Sequence, residues 1–206
     1  MILGSTEDRR MAELRAEVGS PLLNVTNAPD HPLTGYCLPV DHEGSACPKT
    51  AVVKDGKLAN PLYTLSSAKK AGAASTGSAG RIAQMTGITP INITTVPAVI
   101  YIEPGGRTQE ELIAEMGDGL FLTYCLDTFH AINLTSGEFS IPCGGVYYRE
   151  GRPVGTVSQM IMAGNLRDMF RNIASLGDDL TFEEFYFKNY CYGGPSMLVK
   201  GLAFGT

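Results

Sequence analysis

The chain has 206 residues, 44% of them hydrophobic and 18% charged, a balance that supports a packed core and excludes general disorder. Its net charge is -5 and its 16 Lys and Arg residues are scattered, so no basic stripe exists to neutralise phosphates and nucleic-acid binding is not expected. The longest apolar run, VPAVIYI at residues 96–102, is far shorter than the roughly 20 residues of a membrane-spanning helix, so no membrane association is expected either.

In chain order, MILGSTEDRR carries no apolar run ahead of its charges, which predicts no secretory leader and a cytoplasmic location. Glu7–Glu17 places Met11 and Leu14 on one face of a short amphipathic helix ended by Gly19 and Pro21, so residues 1–20 read as a helical lead-in. PLLNVTNA then reads as strand, followed by a proline-rich loop. TAVVKDGKLANPLYTL reads as two strands around Asp55-Gly56, a dipeptide that accepts the positive φ angles of a tight hairpin. Ser66–Ala71 predicts a short helix that runs into GAASTGSAGR.

INITTVPAVIYIEPG is rich in β-branched residues and reads as strand, with Pro97 marking an edge or a bulge. TQEELIAEM opens a helix with Thr108 at the N-cap and Glu111 completing a capping box. GLFLTYCL is a strand, and EFSIPCGGVYYREGRPVGTVSQMIMAG is a long hairpin around Glu150-Gly151. In NLRDMFRNIASLG, Asn165 caps a helix with Asp168 in its first turn. Leu166, Met169, Phe170, Ile173 and Leu176 form its apolar stripe, closed by Gly177. PSMLVKGLAF reads as a final strand. Strands joined as hairpins outnumber helices, which predicts an α+β fold, predominantly antiparallel β-sheet built from hairpins with a few short helices, in a single domain over residues 1–206.

The chemistry that these residues offer is sparse. Gly72 and Gly77 have the spacing of a phosphate-binding loop, but Ser78 and Ala79 stand where lysine and Ser/Thr belong. Lys69 and Lys70 precede the loop, so the charge lies on the wrong side. His42-Glu43 followed by Cys47 looks like a truncated zinc-protease motif, but it has one histidine, and Gly44 and Pro48 oppose the helix that such a site needs. His31, Cys37, His42 and Cys47 can be counted as four ligands, yet their gaps lack the short pairings of zinc sites. A cysteine nucleophile with His130 as base has no supporting local motif. Five widely spaced cysteines, Cys37, Cys47, Cys125, Cys143 and Cys191, suit reduced thiols better than a disulfide framework. The pairs Asp178-Asp179 and Glu183-Glu184 read as a solvated turn and an element start. The N-x-T triplets at Asn24, Asn92 and Asn133 read as coincidental.

The second half, INLTSGEFSIPCGGVYYREGRPVGTVSQMIMAGNLRDMFRNIASLGDDL, resembles the C-terminal domain of the TldD/PmbA family. Ser136-Gly137-Glu138-Phe139-Ser140 matches its T-G-x-[FY]-S step. Ala163-Gly164-Asn165 matches its A-G-N helix start, and Leu176-Gly177-Asp178-Asp179 its closing G-x-D. In the first half, PVDHEGSACPKTAVVKDGKL is similar to the family's D-x-E-G turn and hairpin, and LSSAKKAGAASTGSAGR to its T-G-N-A-G stretch, which implies a structural role for the Gly72–Arg81 loop.

The resemblance implies one component of a cytosolic metalloprotease that pairs TldD-type and TldE-type subunits and acts on peptides, a family also known as modulators of DNA gyrase. It implies that the family's N-terminal domain, which carries an H-E-x-x-x-H zinc helix in TldD-type chains, is absent from this sequence. Cys191 falls near the family's metal-binding cysteine, but NYCYGGPSMLVKGL lacks the C-G-K-x-G-Q continuation of TldD chains and ends in the PmbA manner. The implied type is therefore TldE/PmbA, non-catalytic, with no catalytic or cofactor-binding residue in this chain and zinc expected only in a TldD-type partner or a missing domain. Expected partners are a TldD-type subunit or a second copy, and a peptide substrate. The alternatives are a fragment of a catalytic TldD-type zinc peptidase with Cys191 as ligand, and a free-standing binding or structural domain.

Overall fold

The computed structural model describes residues 16–35, 37–81, 93–128, 130–185 and 190–205. The helix expected over Glu7–Glu17 lies outside the described residues except for Ala16 and Glu17, and Glu17 makes an antiparallel bridge to Lys57. In chain order the first strands are β1 (Val25–Asn27), β2 (Thr50–Lys54) and β3 (Lys57–Leu58), followed by helix α1 (Leu65–Ala71). Next come β4 (Ala79–Gly80), β5 (Thr94–Thr95), β6 (Val99–Ile102), α2 (Gln109–Met116), β7 (Gly119–Cys125), β8 (Glu138–Arg149) and β9 (Arg152–Asn165). The chain continues with α3 (Leu166–Arg171), β10 (Ile173–Leu176), β11 (Thr181–Phe185), β12 (Tyr190–Gly194), β13 (Met197–Val199) and β14 (Ala203–Gly205). The fold class is α+β with predominantly antiparallel sheets.

These elements form two compact units, each assembled from separated stretches of sequence. The first comprises residues up to Glu17, Leu23–Glu103 and Leu180–Gly194. Its six-stranded sheet runs β11-β12-β6-β1-β2-β3, and its β12–β6 pair is parallel. Parallel neighbours need a long crossover. Here the connection from β6 to β12 includes Pro104–Asp179, the largest segment of the second unit. Val52 of β2 and Val99 of β6 are fully buried, with Tyr101, Cys191 and Leu23, just ahead of β1, nearly so. Each buried valine contributes about 1.5–3 kcal/mol over an exposed one. The β2–β3 turn has φ 50° at Asp55 and 73° at Gly56, the positive pair that a two-residue hairpin needs.

The second unit comprises Val18–Leu22, Pro104–Asp179 and Pro195–Thr206. Its four-stranded sheet is ordered β14-β9-β8-β7, antiparallel throughout, and β10 pairs with β13. The β8–β9 hairpin turns at Glu150 (φ 50°) and Gly151 (φ 72°), as its sequence predicts. Phe139, Ile141, Cys143 and Met162 form the buried cluster under this hairpin, with Leu122, Met160, Leu166 and Met169 packed around it.

Three segments depart from the sequence reading. The helix expected over NLRDMFRNIASLG stops at Arg171, and Ile173–Leu176 is strand β10, so Ile173 and Leu176 leave the stripe. Pairing of β10 with Met197–Val199 satisfies its backbone, a bond set that helical periodicity cannot register. PSMLVKGLAF is two strands, β13 and β14, separated where Gly201 takes φ 76°. Of the strand expected over INITTVPAVIYIEPG, Ile91 and Asn92 lie outside the described residues, and the rest holds β5 and β6 with Pro97 between them, because proline has no N–H to extend a ladder.

Candidate functional site

Cys191 lies on β12, opposite Glu184 of β11 and Val99 of β6, and its N–H donates to the Ala98 carbonyl at 3.0 Å. Interior placement in a sheet leaves it 3% exposed. Burial raises the thiol's pKa, and the negative charge of Glu184 raises it further.

Of the other sulfur and imidazole candidates, His31, His42, Cys47 and His130 have local partners. The half-buried His31 ring packs against Tyr101 and Phe182, with centroids 5.0 and 4.7 Å apart. Cys37 is exposed, and the Cys47 thiol donates to the Gly77 carbonyl at 3.1 Å. His42 Nδ1 accepts the Arg81 N–H at 2.8 Å, which places the proton of the neutral ring on Nε2. His130 pairs with Asp127 at 2.6 Å on the surface, its side chain 77% exposed. Among the described residues, no three His, Cys, Asp or Glu side chains converge on a metal position. Zinc takes four donors, so a single buried thiol does not fit the ion by itself.

The Asp41–Gly44 turn and the Gly/Ser loop, which the sequence left without a mechanism, form one network. Asp41 Oδ1 accepts the N–H groups of Glu43 and Ser45, both at 2.9 Å, and its Oδ2 accepts that of Ala79 at 2.9 Å. Glu43 Oε2 accepts the Leu65 N–H at 2.7 Å at the start of α1, where Thr64 and Ser67 complete a capping box. Thr76 Oγ1 accepts the Tyr63 N–H at 2.7 Å, and Ser78 is 1% exposed. A Cβ on Gly77 would collide with the Ala46 carbonyl. The loop's hydroxyls and most of its amides are thus engaged with protein, while Lys69 and Lys70 stay exposed on α1.

The acidic pairs separate in role. Asp179 Oδ1 accepts the Ser196 N–H at 2.8 Å and its Oδ2 the Ser196 hydroxyl at 2.5 Å. Burial works to raise this carboxyl, but donation from Ser196 outweighs it and holds the pKa below the ordinary value of 3.8. Asp178 is exposed, and Glu183 on β11 accepts the Tyr192 hydroxyl at 2.9 Å. Neither pair forms a shared-proton dyad. A feature with no sequence signal is a largely apolar cavity of about 880 Å³ in the second unit, lined by Leu112, Ile113 and Met116 of α2 and by Leu122, Met160 and Met162 of the sheet. Its walls are far apart in sequence, which is why no local pattern announces it.

Residues 10–206 match the family model of the PmbA/TldA metallopeptidase C-terminal domain. The chain belongs to the TldD/PmbA family. It is 31% identical over 183 residues to the metalloprotease PmbA of Escherichia coli O157:H7, covering 87% of this chain and 37% of that protein. It is also 31% identical over 142 residues to a Haemophilus influenzae PmbA homologue, covering 69% of this chain and 28% of that one. These relatives place it with the PmbA/TldE type. Among solved structures, a Thermotoga maritima protein named a modulator of a DNA gyrase superposes with TM-score 0.78 at 27% identity, over 99% of this chain and 43% of its own. TldE from Thermococcus kodakarensis shares the fold with TM-score 0.80 at 20% identity, over 95% of this chain and 42% of its own. The chain therefore spans well under half the length of the relatives it matches.

The family assignment accounts for the D-x-E-G turn and the T-G-x-A-G loop. The two motifs are held to each other by the Asp41 carboxylate and the Ala79 amide. Among the described residues no helix is long and apolar enough to cross a membrane.

Proposed function

We propose that this PmbA/TldE-type C-terminal domain is a non-catalytic component of a cytoplasmic metalloprotease that acts on peptides or unfolded polypeptides together with a TldD-type subunit. The observation that carries the reading is the setting of Cys191. The residue nearest the family's metal-binding cysteine is a buried sheet residue, and among the described residues no further donors converge with it on a metal position. Zinc and its hydrolytic chemistry then belong to the partner, and this chain contributes walls and strand edges. Among the described residues β7 is a seven-residue strand with a ladder partner on one side, β8, and an extended peptide can add to the other side by main-chain hydrogen bonds.

The test is zinc content after copurification with a TldD-type subunit, with wild type compared against Cys191→Ser and Cys191→Ala. Equal zinc per complex is expected for all three. Loss of zinc in both variants, with the complex still assembled, assigns Cys191 as a ligand and makes the chain part of a catalytic TldD-type centre. Failure of the chain to associate with any TldD-type subunit leaves a free-standing domain and overturns the proposal.

A further inference from the structure

All five cysteines are free thiols, and the β7–β8 ladder sets two of them opposite each other: Cys125 at the end of β7 faces Cys143 of β8. The Leu126 N–H donates to the Pro142 carbonyl at 2.8 Å, one residue beyond Cys125 on one strand and one before Cys143 on the other. That is the bond flanking a non-hydrogen-bonded antiparallel pair. In such a pair the Cα atoms are about 4.5 Å apart and both side chains leave the same face. A disulfide spans Cα atoms roughly 4.4–6.8 Å apart, so the backbone already has the required approach.

Exposure gives the two thiols different parts. Cys125 is open to solvent, whereas Cys143 is 1% exposed in the cluster with Phe139, Ile141 and Met162. Burial raises the pKa of both. The charge of Cys143 raises that of Cys125 further, and a backbone hydrogen bond from Met162 partly offsets the rise at Cys143. Among the described residues, Cys37, Cys47 and Cys191 have no cysteine opposite them in a ladder.

We propose that Cys125 and Cys143 are a disulfide-forming modification site, oxidised by exchange with a low-molecular-weight disulfide. Cys125, as its thiolate, attacks one sulfur of the small disulfide. Its S–S bond breaks, one small thiolate leaves and a mixed disulfide remains on Cys125. Cys143 then loses its proton and attacks Cys125 Sγ, forming the cross-strand bond and expelling the second small thiolate. The two protein thiols supply two protons and two electrons, and the small disulfide is reduced to two thiols. The product ties the end of β7 to β8.

The experiment treats the reduced full chain with excess oxidised glutathione at pH 8 and maps the unreduced digest by mass spectrometry. Wild type is expected to yield the peptide pair joined through Cys125 and Cys143. Cys143→Ser should stop at a glutathione adduct on Cys125, and Cys125→Ser should leave Cys143 unmodified. Below the thiol pKa the rate should rise about tenfold per pH unit, following the thiolate fraction. A stable glutathione adduct on wild-type Cys125 without the cross-link overturns the proposal, as does a dominant cross-link through Cys37, Cys47 or Cys191. If Cys143→Ser does not fold, wild type and Cys125→Ser still decide it.

Discussion

Gly77 and Asp41 show how single residues fix the Gly/Ser loop that supports the family resemblance in the first half of the chain. Gly77 takes φ 62°, and a Cβ there would meet the Ala46 carbonyl. Gly77→Ala should therefore cost at least about 1–2 kcal/mol from the left-handed backbone alone. That is a fall of roughly 2–8 °C in the thermal midpoint for a chain of this size, measurable by calorimetry. Asp179 carries a pH signature. Its folded-state pKa is depressed, so its contribution is present above the ordinary carboxylate value of 3.8 and is lost as pH falls through the lower folded value. Thermal midpoints measured from pH 6 down to pH 2 should fall less steeply for Asp179→Asn than for wild type across that acid window; identical slopes would remove the role. The left-handed turn residues were legible in the sequence. The partners of Asp41 and Asp179 were not, because Ala79 and Ser196 lie far along the chain.

At the scale of elements, local signals and distant pairing divide the outcome. The Thr108–Glu111 capping box forms as read, since both partners sit within one turn. IASL went to strand because Met197–Val199 offers it a ladder, against an apolar spacing that suits a helix equally well. The exposed edge of β7 carries the peptide-binding proposal. An extended peptide N-methylated at two positions that face β7 should compete about 5- to 150-fold less well than its unmethylated parent in peptide processing by the assembled enzyme. The lost bonds are worth about 1–3 kcal/mol together. Equal competition would mean that no strand is added there.

At the scale of the whole molecule, the two units interleave in sequence. The first resumes at Leu180 after the main segment of the second, and the second resumes at Pro195. A single unbroken domain was the natural expectation, because composition is even along the chain and no linker interrupts it. The sequence by itself determined the hairpin turns, the helix caps, the antiparallel α+β class and the family, since each is carried by residues a few positions apart or by motifs in fixed order. Only the tertiary structure decided the burial of Cys191, the pairing of Cys125 with Cys143, the anchoring of the Gly/Ser loop by Asp41 and the apolar cavity under α2. Each of those depends on backbone hydrogen bonds and packing between segments distant in sequence, whose register no local preference encodes.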